Sequence, residues 1–253
     1  MSVFRLAAIL FIGISLTGCS GCSESGIRHQ SAQNLQNESY DDRPKSEPTN
    51  QPNEVQSRGQ QESLLNSSEG VTLSNLYSAS KSAVFTVYTS DDKMEYQGSG
   101  FFVSSDGIAV SNYHIFEDTF KGGEMILTES DDKYKISRVI EQDKELDYII
   151  FKVDGSSNFH ALNLAGSRPE VGEDVFAIGN PRGLSHSLST GIISSYRDGG
   201  RLLQTTAEIT HGSSGGALLN MKGEVVGITT GGFGEANLNF ALNIRELRLE
   251  RYL

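Results

Sequence analysis

Short apolar runs separated by turn residues fill the chain from Val71 onward. The runs are rich in Val, Ile, Phe, Tyr and Thr, and the residues between them are mostly Gly, Asp, Asn and Ser, which together predict strands joined by tight turns. The predicted strands are Ala83–Thr89, Gly98–Val103, Gly107–Ser111, Leu146–Val153, Asp174–Ile178, Gly191–Ser195, Gly223–Thr229 and Leu238–Leu242. Helical periodicity is found mainly in Leu73–Ser82 and in the last residues of the chain.

This pattern predicts one all-β domain over residues 71–253, because many short strands at close spacing are typical of a closed barrel or a sandwich. The pattern alone leaves both architectures open.

The first eighteen residues are predicted to be a signal peptide. Arg5 is followed by the apolar run Leu6–Leu16, which is too short to cross a hydrocarbon core of about 30 Å as a helix. The protein is therefore expected to be exported.

Cys19 directly follows this apolar run, and Leu16-Thr17-Gly18-Cys19 resembles the lipobox of bacterial lipoproteins. The resemblance implies that Cys19 carries lipid and holds the protein on a bacterial membrane, facing the periplasm or the cell surface. An ordinary signal peptide with a nearby cleavage site is the alternative. Cys22, the other cysteine, is then an unpaired thiol that is either inert or cross-links two chains.

Residues 19–70 contain mostly Ser, Asn, Gln, Glu, Asp and Pro. Such a segment buries too little apolar surface to offset chain entropy, so we expect a disordered linker between the lipid anchor and the domain.

The formal net charge of -11 argues against a nucleic-acid partner, because phosphate binding requires clustered Lys and Arg. The five histidines are scattered singly and no HExxH spacing occurs, so we expect no metal and no organic cofactor.

Three segments carry candidate chemistry. His114 ends two predicted strands joined by a Ser-Asp-Gly turn, and Asp147 opens an otherwise apolar strand, where a carboxylate needs hydrogen-bond partners. Ser214 lies in Gly212-Ser213-Ser214-Gly215-Gly216, immediately before another apolar strand. Each residue alone has an ordinary structural explanation, but the chain order His, Asp, Ser is that of chymotrypsin-type proteases, not of α/β-hydrolases or subtilisins.

From Val71 to Leu253 the chain resembles the trypsin-like (chymotrypsin-fold) serine protease domain of the HtrA/Deg type. The matching segments, in order, are GSGFFVSSDGIAVSNYHIF, LDYIIFKVDG, AIGNPRGLSHSLSTGIIS, HGSSGGALLN, GEVVGITT and NFALNI. The resemblance implies a double six-stranded β-barrel with short helices at its ends.

The resemblance also implies a serine endopeptidase acting on unfolded or exposed protein segments, in envelope protein quality control or regulated cleavage. His114 would be the general base, Asp147 its orienting carboxylate and Ser214 the nucleophile, with an oxyanion hole at Gly212, Ser213 and Ser214. The same barrel without turnover, serving as a binding or assembly module, is the alternative.

The chain departs from the HtrA pattern in places. Ser213 replaces the usual Asn or Asp before the nucleophile, and His211 is unusual near this loop, where it either faces solvent or contacts substrate. We expect no PDZ module after Arg248, and a trimer remains possible by analogy only.

Glu208 is six residues before Ser214, where trypsin-like folds place the base of the primary specificity pocket. If Glu208 points inward, it favours Arg or Lys in the substrate; otherwise it faces solvent or pairs with Arg182 or Arg201. Thr229 and Thr230 are the other residues expected at this pocket.

Overall fold

A computed structural model describes residues 72–155, 158–180, 187–233 and 238–253. The predicted signal peptide, the linker, Cys19, Cys22 and Arg182 lie outside these residues. No helix within the described ranges is long and apolar enough to span a membrane.

The described chain begins with one short helix, α1 (Leu73–Ser80). Thr72 adopts an extended conformation before the helix, and its hydroxyl oxygen accepts a hydrogen bond from the Asn75 amide at 3.2 Å. This is the N-cap arrangement that satisfies one of the free amides of a helix start. A single 3₁₀ turn, Lys81–Ala83, then leads into the first strand.

Twelve strands follow in the described part of the chain. They are β1 (Val84–Ser90), β2 (Glu95–Phe102), β3 (Ile108–Ser111), β4 (Met125–Leu127), β5 (Lys133–Asp143), β6 (Tyr148–Val153), β7 (Asp174–Gly179), β8 (Ser187–Arg197), β9 (Leu202–Thr205), β10 (Ala217–Asn220), β11 (Val225–Phe233) and β12 (Leu238–Asn243). Two 3₁₀ turns, Ile244–Leu247 and Leu249–Arg251, complete the chain.

The strands form two closed antiparallel barrels, which confirms the predicted double six-stranded β-barrel. The N-terminal barrel has the strand order β1-β2-β3-β6-β5-β4, and the C-terminal barrel has the order β10-β11-β12-β9-β8-β7. In each barrel the first and last strands in this order also pair, β1 with β4 and β10 with β7.

Three apolar clusters make up the core. One fills the N-terminal barrel and is rich in aromatic rings, including Phe85, Phe102 and Phe151. A second fills the C-terminal barrel with smaller side chains, several of them alanines. The third and largest cluster draws on strands of both barrels and on the C-terminal turns, and includes Phe101, Phe176 and Leu247. The two barrels therefore share a continuous interface core, and the ends of their strands are held in fixed positions relative to each other.

Candidate active site

His114 lies in a 3₁₀ turn, Tyr113–Ile115, that directly follows β3. Ile115, the next residue, is buried in the aromatic core of the N-terminal barrel and anchors the turn. The His114 side chain is 33% exposed. It is therefore fixed at its backbone while its ring reaches solvent.

Asp147 ends the turn before β6 and adopts a left-handed conformation with φ of 60°. Few residue types other than glycine accept this conformation, and aspartate is among them. The Asn112 side-chain amide donates to the Asp147 carbonyl at 2.9 Å. This bond ties the strained residue to the end of β3.

The Asp147 carboxylate contacts His114 through both of its oxygens. Oδ1 accepts from the His114 backbone amide at 2.8 Å, and Oδ2 lies 2.8 Å from the ring atom Nδ1. One carboxylate thus fixes both the backbone and the ring of the histidine. With Nδ1 bound in this way, Nε2 is the ring nitrogen left to exchange a proton with a neighbour.

Ser214 lies in the segment Thr210–Gly216, hereafter the nucleophile loop, which runs into β10. Gly212 and Gly215 both have positive φ, 92° and 84°, so the tight path requires glycine at these two positions. The loop also approaches the N-terminal barrel closely, because a Cβ on Gly215 would lie 2.5 Å from Ser111 Oγ. Ser111 is three residues before His114, so the two sequence-distant segments meet where the barrels join.

The three carbonyls around the nucleophile all accept hydrogen bonds. Gly212 O accepts from Ser99 Oγ at 2.7 Å, and Ser214 O accepts from the Ser99 amide at 2.8 Å. Ser213 O accepts from the Gly216 amide at 3.0 Å and from Thr229 Oγ1 at 2.6 Å. Hydrogen bonds therefore hold all three carbonyl oxygens in place.

The amides of the same loop differ from one another. The Ser213 amide donates to the Thr210 carbonyl at 3.0 Å, whereas the amides of Gly212 and Ser214 have no acceptor among the described residues. Two unoccupied amides on either side of one turn are the arrangement that binds a developing oxyanion. The Ser213 amide is already used within the turn, so of the three residues expected at the oxyanion hole only Gly212 and Ser214 have an amide without an acceptor among the described residues.

The Ser214 hydroxyl donates to the Thr230 carbonyl at 3.3 Å. A hydrogen bond from Ser214 to the His114 ring does not occur among the described residues. Hydrogen bonds between catalytic groups are often long or poorly aligned without substrate. Rotation about the Ser214 Cα–Cβ bond is the movement that would redirect this hydroxyl.

The three residues predicted for the specificity pocket lie in different surroundings. Glu208 is exposed, in accord with the solvent-facing alternative, and Arg201 pairs instead with Asp198 at 2.7 Å. Thr229 is 1% exposed and its hydroxyl is used by Ser213 O, so it supports the nucleophile loop and its hydroxyl is not available to substrate. Thr230 is partly buried, and its hydroxyl donates to Phe240 O at 3.2 Å.

The residue that follows Glu208 in the chain is buried. Ile209 is 7% exposed, and its amide donates to Asn239 Oδ1 at 3.2 Å. His211 is exposed, as expected for a solvent-facing turn residue. Within the described ranges no group of three His, Cys, Asp or Glu side chains is placed to hold a metal ion.

Sequence reasoning missed the supporting residues Ser99 and Asn112, and it assigned Thr229 to the pocket and not to the support of the nucleophile loop. A polar residue between two glycines on an apolar strand, as in Gly98-Ser99-Gly100, was the available signal for the first of them.

A family model for the trypsin-like peptidase domain matches residues 98–228, more than half of the chain. The chain belongs to the trypsin-like peptidase domain family. The match contains His114, Asp147 and Ser214, and it extends from β2 into β11, so this trypsin-like domain spans both barrels.

Similar proteins agree with this membership. The probable periplasmic serine endoprotease DegP-like of Pseudomonas putida is 40% identical over 163 residues, which cover 58% of this chain and 32% of that protein. Serine protease HTRA1 of Xenopus laevis is 35% identical over 144 residues, covering 53% and 31% respectively. The trypsin-like chain thus spans about a third of the length of these relatives.

A solved structure shares the fold. The crystal structure of the serine endoprotease from Yersinia pestis superimposes with a TM-score of 0.63 at 29% identity, over 70% of this chain and 64% of that one.

Proposed function

We propose that this chain is a serine endopeptidase in which Ser214 is the nucleophile, His114 the general base and Asp147 its orienting group. The observation that carries the proposal is the double contact of Asp147 with the His114 amide and ring, beside the loop that presents Ser214. Membership of the trypsin-like peptidase domain family supports the same reading.

The reaction follows from these positions. Ser214 Oγ bonds to the carbonyl carbon of the scissile peptide as its proton passes to His114 Nε2, and the carbonyl oxygen becomes an oxyanion. The Gly212 and Ser214 amides donate to that oxygen, and each such donor typically contributes about 3 to 4 kcal/mol to the transition state.

The imidazolium then gives its proton to the leaving amine nitrogen as the C–N bond breaks, which leaves an acyl ester on Ser214. Water attacks the ester carbonyl as its proton passes to His114; the C–O bond to Ser214 then breaks, the carboxylic acid leaves, and the proton returns from His114 to the Ser214 oxygen. Asp147 remains ionised and stabilises the positive ring.

The test is covalent labelling with a fluorophosphonate probe, run together with cleavage of casein, on the full chain in detergent. We expect labelling and cleavage by the unaltered chain and neither by Ser214→Ala. Ser213→Ala is the matched control, because it removes the adjacent hydroxyl and should retain the label. Labelling that moves to Ser213, or persists in Ser214→Ala, contradicts the proposal.

The Ser214 hydroxyl donates to Thr230 O and not to the His114 ring among the described residues. A second candidate function is therefore a module that binds protein segments without cleaving them. That function predicts binding of unfolded casein with no cleavage and no labelling.

We further propose that the protein is exported and lipid-anchored through Cys19, and that it cleaves exposed protein segments in the cell envelope. The sequence of the first 19 residues supports the anchor, and the periplasmic designation of the Pseudomonas putida relative supports the compartment. Cys19→Ser should move the protein from the membrane fraction to the soluble fraction. Retention of an acyl group on the variant would contradict the anchor.

For specificity, we propose that the exposed Glu208 does not select basic residues. Profiling with a peptide library should give the same preference before the scissile bond for the unaltered chain and for Glu208→Ala. A basic preference that disappears in the variant would restore the pocket role.

A further inference from the structure

Ser99 joins the two barrels at the nucleophile loop. It lies on β2 of the N-terminal barrel and is fully buried. Its backbone amide donates to Ser214 O at 2.8 Å and its hydroxyl donates to Gly212 O at 2.7 Å. The same hydroxyl accepts from the Asn180 amide at 2.9 Å, just after β7. One residue of the N-terminal barrel thus holds two points of the C-terminal barrel.

The orientation of the Gly212 carbonyl depends more on a side chain than the orientations of the Ser213 and Ser214 carbonyls do. Ser214 O and Ser213 O each accept from a backbone amide, whereas Gly212 O accepts from a hydroxyl alone. Gly212 also has a φ of 92° and no side chain, so its two flanking peptide planes rotate more freely than those of other residues. Without the Ser99 hydroxyl, the peptide group that contains Gly212 O is held only at its other side, where the Ser213 amide donates to Thr210 O at 3.0 Å.

Close packing makes the hydroxyl hard to replace. A Cβ on Gly215 would lie 2.1 Å from Ser99 O, and one on Gly179 would lie 2.9 Å from the Ser213 Cα. Ser99 O is itself bound by Ser111 Oγ at 2.7 Å. These contacts show that the backbone around Ser99 is closely packed, which disfavours entry of a water molecule in place of the hydroxyl.

We propose that Ser99 is a positioning residue for the oxyanion hole: its buried hydroxyl fixes the Gly212 carbonyl and, through Gly212, the direction of the Gly212 amide. The proposal rests on the proposed peptidase function. Ser99 does not touch substrate; it acts by holding a donor in the orientation that the tetrahedral intermediate requires.

The test compares Ser99→Ala with Thr205→Val in the full chain. Thr205 is a matched control, because it is 1% exposed and its hydroxyl donates to Ile192 O at 2.9 Å, away from the nucleophile loop. Hydrolysis of a peptide substrate gives kcat and KM, and a peptide boronate, which forms a tetrahedral adduct at the serine, reports on the oxyanion hole.

We expect Ser99→Ala to lower kcat by about 10- to 100-fold with KM changed by less than about two-fold. Boronate affinity should fall by a similar factor. Equal effects of Ser99→Ala and Thr205→Val on kcat would overturn the proposal, as would a loss confined to KM.

Amide hydrogen exchange separates this inference from the proposed function. The Ser213 amide, which belongs to the same peptide group as Gly212 O, should exchange faster in Ser99→Ala and not in Thr205→Val. If the unaltered chain hydrolyses no substrate, the proposed peptidase function is wrong. The exchange of the Ser213 amide then still tests the positioning role of Ser99. Unchanged Ser213 exchange in a folded Ser99→Ala chain overturns the positioning role.

Discussion

The two halves of the candidate site are held by different kinds of interaction. In the N-terminal barrel, His114 and Asp147 meet through side-chain atoms and one amide. In the C-terminal barrel, the nucleophile loop is shaped mainly by backbone amides and carbonyls and by glycines at positive φ. Hydrogen bonds between a carboxylate and an imidazole fix one half and the course of the main chain fixes the other, so different changes should disable each.

The largest effect is expected from removing the base. His114→Ala should lower kcat by about 10⁴- to 10⁶-fold, because members of a triad act as a unit. Steady-state hydrolysis of a peptide substrate measures the loss, and circular dichroism checks the fold. The double variant His114→Ala/Ser214→Ala should be no slower than either single variant; an additive loss would show that the two residues act separately.

Asp147→Asn should lower kcat by about 10³- to 10⁴-fold. The amide oxygen can still accept from the His114 backbone, but the side chain no longer carries the charge that stabilises a protonated ring. The same assay measures the effect. A loss below about ten-fold would mean that Asp147 only shapes the turn.

These two predictions concern residues that the sequence itself predicts to be catalytic. His114, Asp147 and Ser214 are predicted from residue type, order and flanking patterns, and the double barrel predicted from the resemblance is confirmed. The outer strand β5 was missed because its exposed lysines and arginine hide the alternation, and β4 and β9 were missed because they are short. The occupied Ser213 amide and the support from Ser99 and Thr229 depend on contacts between residues far apart in the chain, which local pattern does not encode.

The nucleophile loop should be sensitive to a single methyl group. Gly215→Ala places a Cβ 2.1 Å from Ser99 O at a φ of 84°, so we expect a destabilisation of about 3 kcal/mol or more together with loss of activity. Urea-induced unfolding measures the stability change.

Gly172→Ala is the matched control for this substitution. Gly172 has a similar φ of 95°, but a Cβ added there would meet no atom within 4 Å. The control should therefore show backbone strain alone, about 1 to 2 kcal/mol. Equal destabilisation by the two variants would contradict close packing of the loop against β2.

The smallest effect concerns acid stability of the N-terminal half. Glu141 on β5 accepts hydrogen bonds from Tyr148, next to Asp147, at 2.6 Å and from Tyr252 near the chain end. These two hydroxyls lower the pKa of Glu141 in the folded chain. A lowered pKa contributes stability that is present above the unfolded value of about 4.3 and is lost as the pH falls through the folded value.

Glu141→Gln should therefore lower the free energy of unfolding by about 1 kcal/mol at pH 7, and by less at pH 3. Thermal unfolding at the two pH values measures the difference. Glu95→Gln, an exposed carboxylate on β2, serves as the control. An equal loss for Glu141→Gln at both pH values would show that its charge is not involved.

The interface core shared by the two barrels should determine how activity is lost when the protein is destabilised. Its apolar side chains come from both barrels and from the C-terminal turns, while the reacting groups are divided between the barrels. A slight parting of the barrels would move Ser214 away from His114 before either barrel lost its own strand pairing. If the proposed function holds, the rate of turnover reports whether the barrels are docked, and mild heat or denaturant should abolish activity while the sheets remain intact.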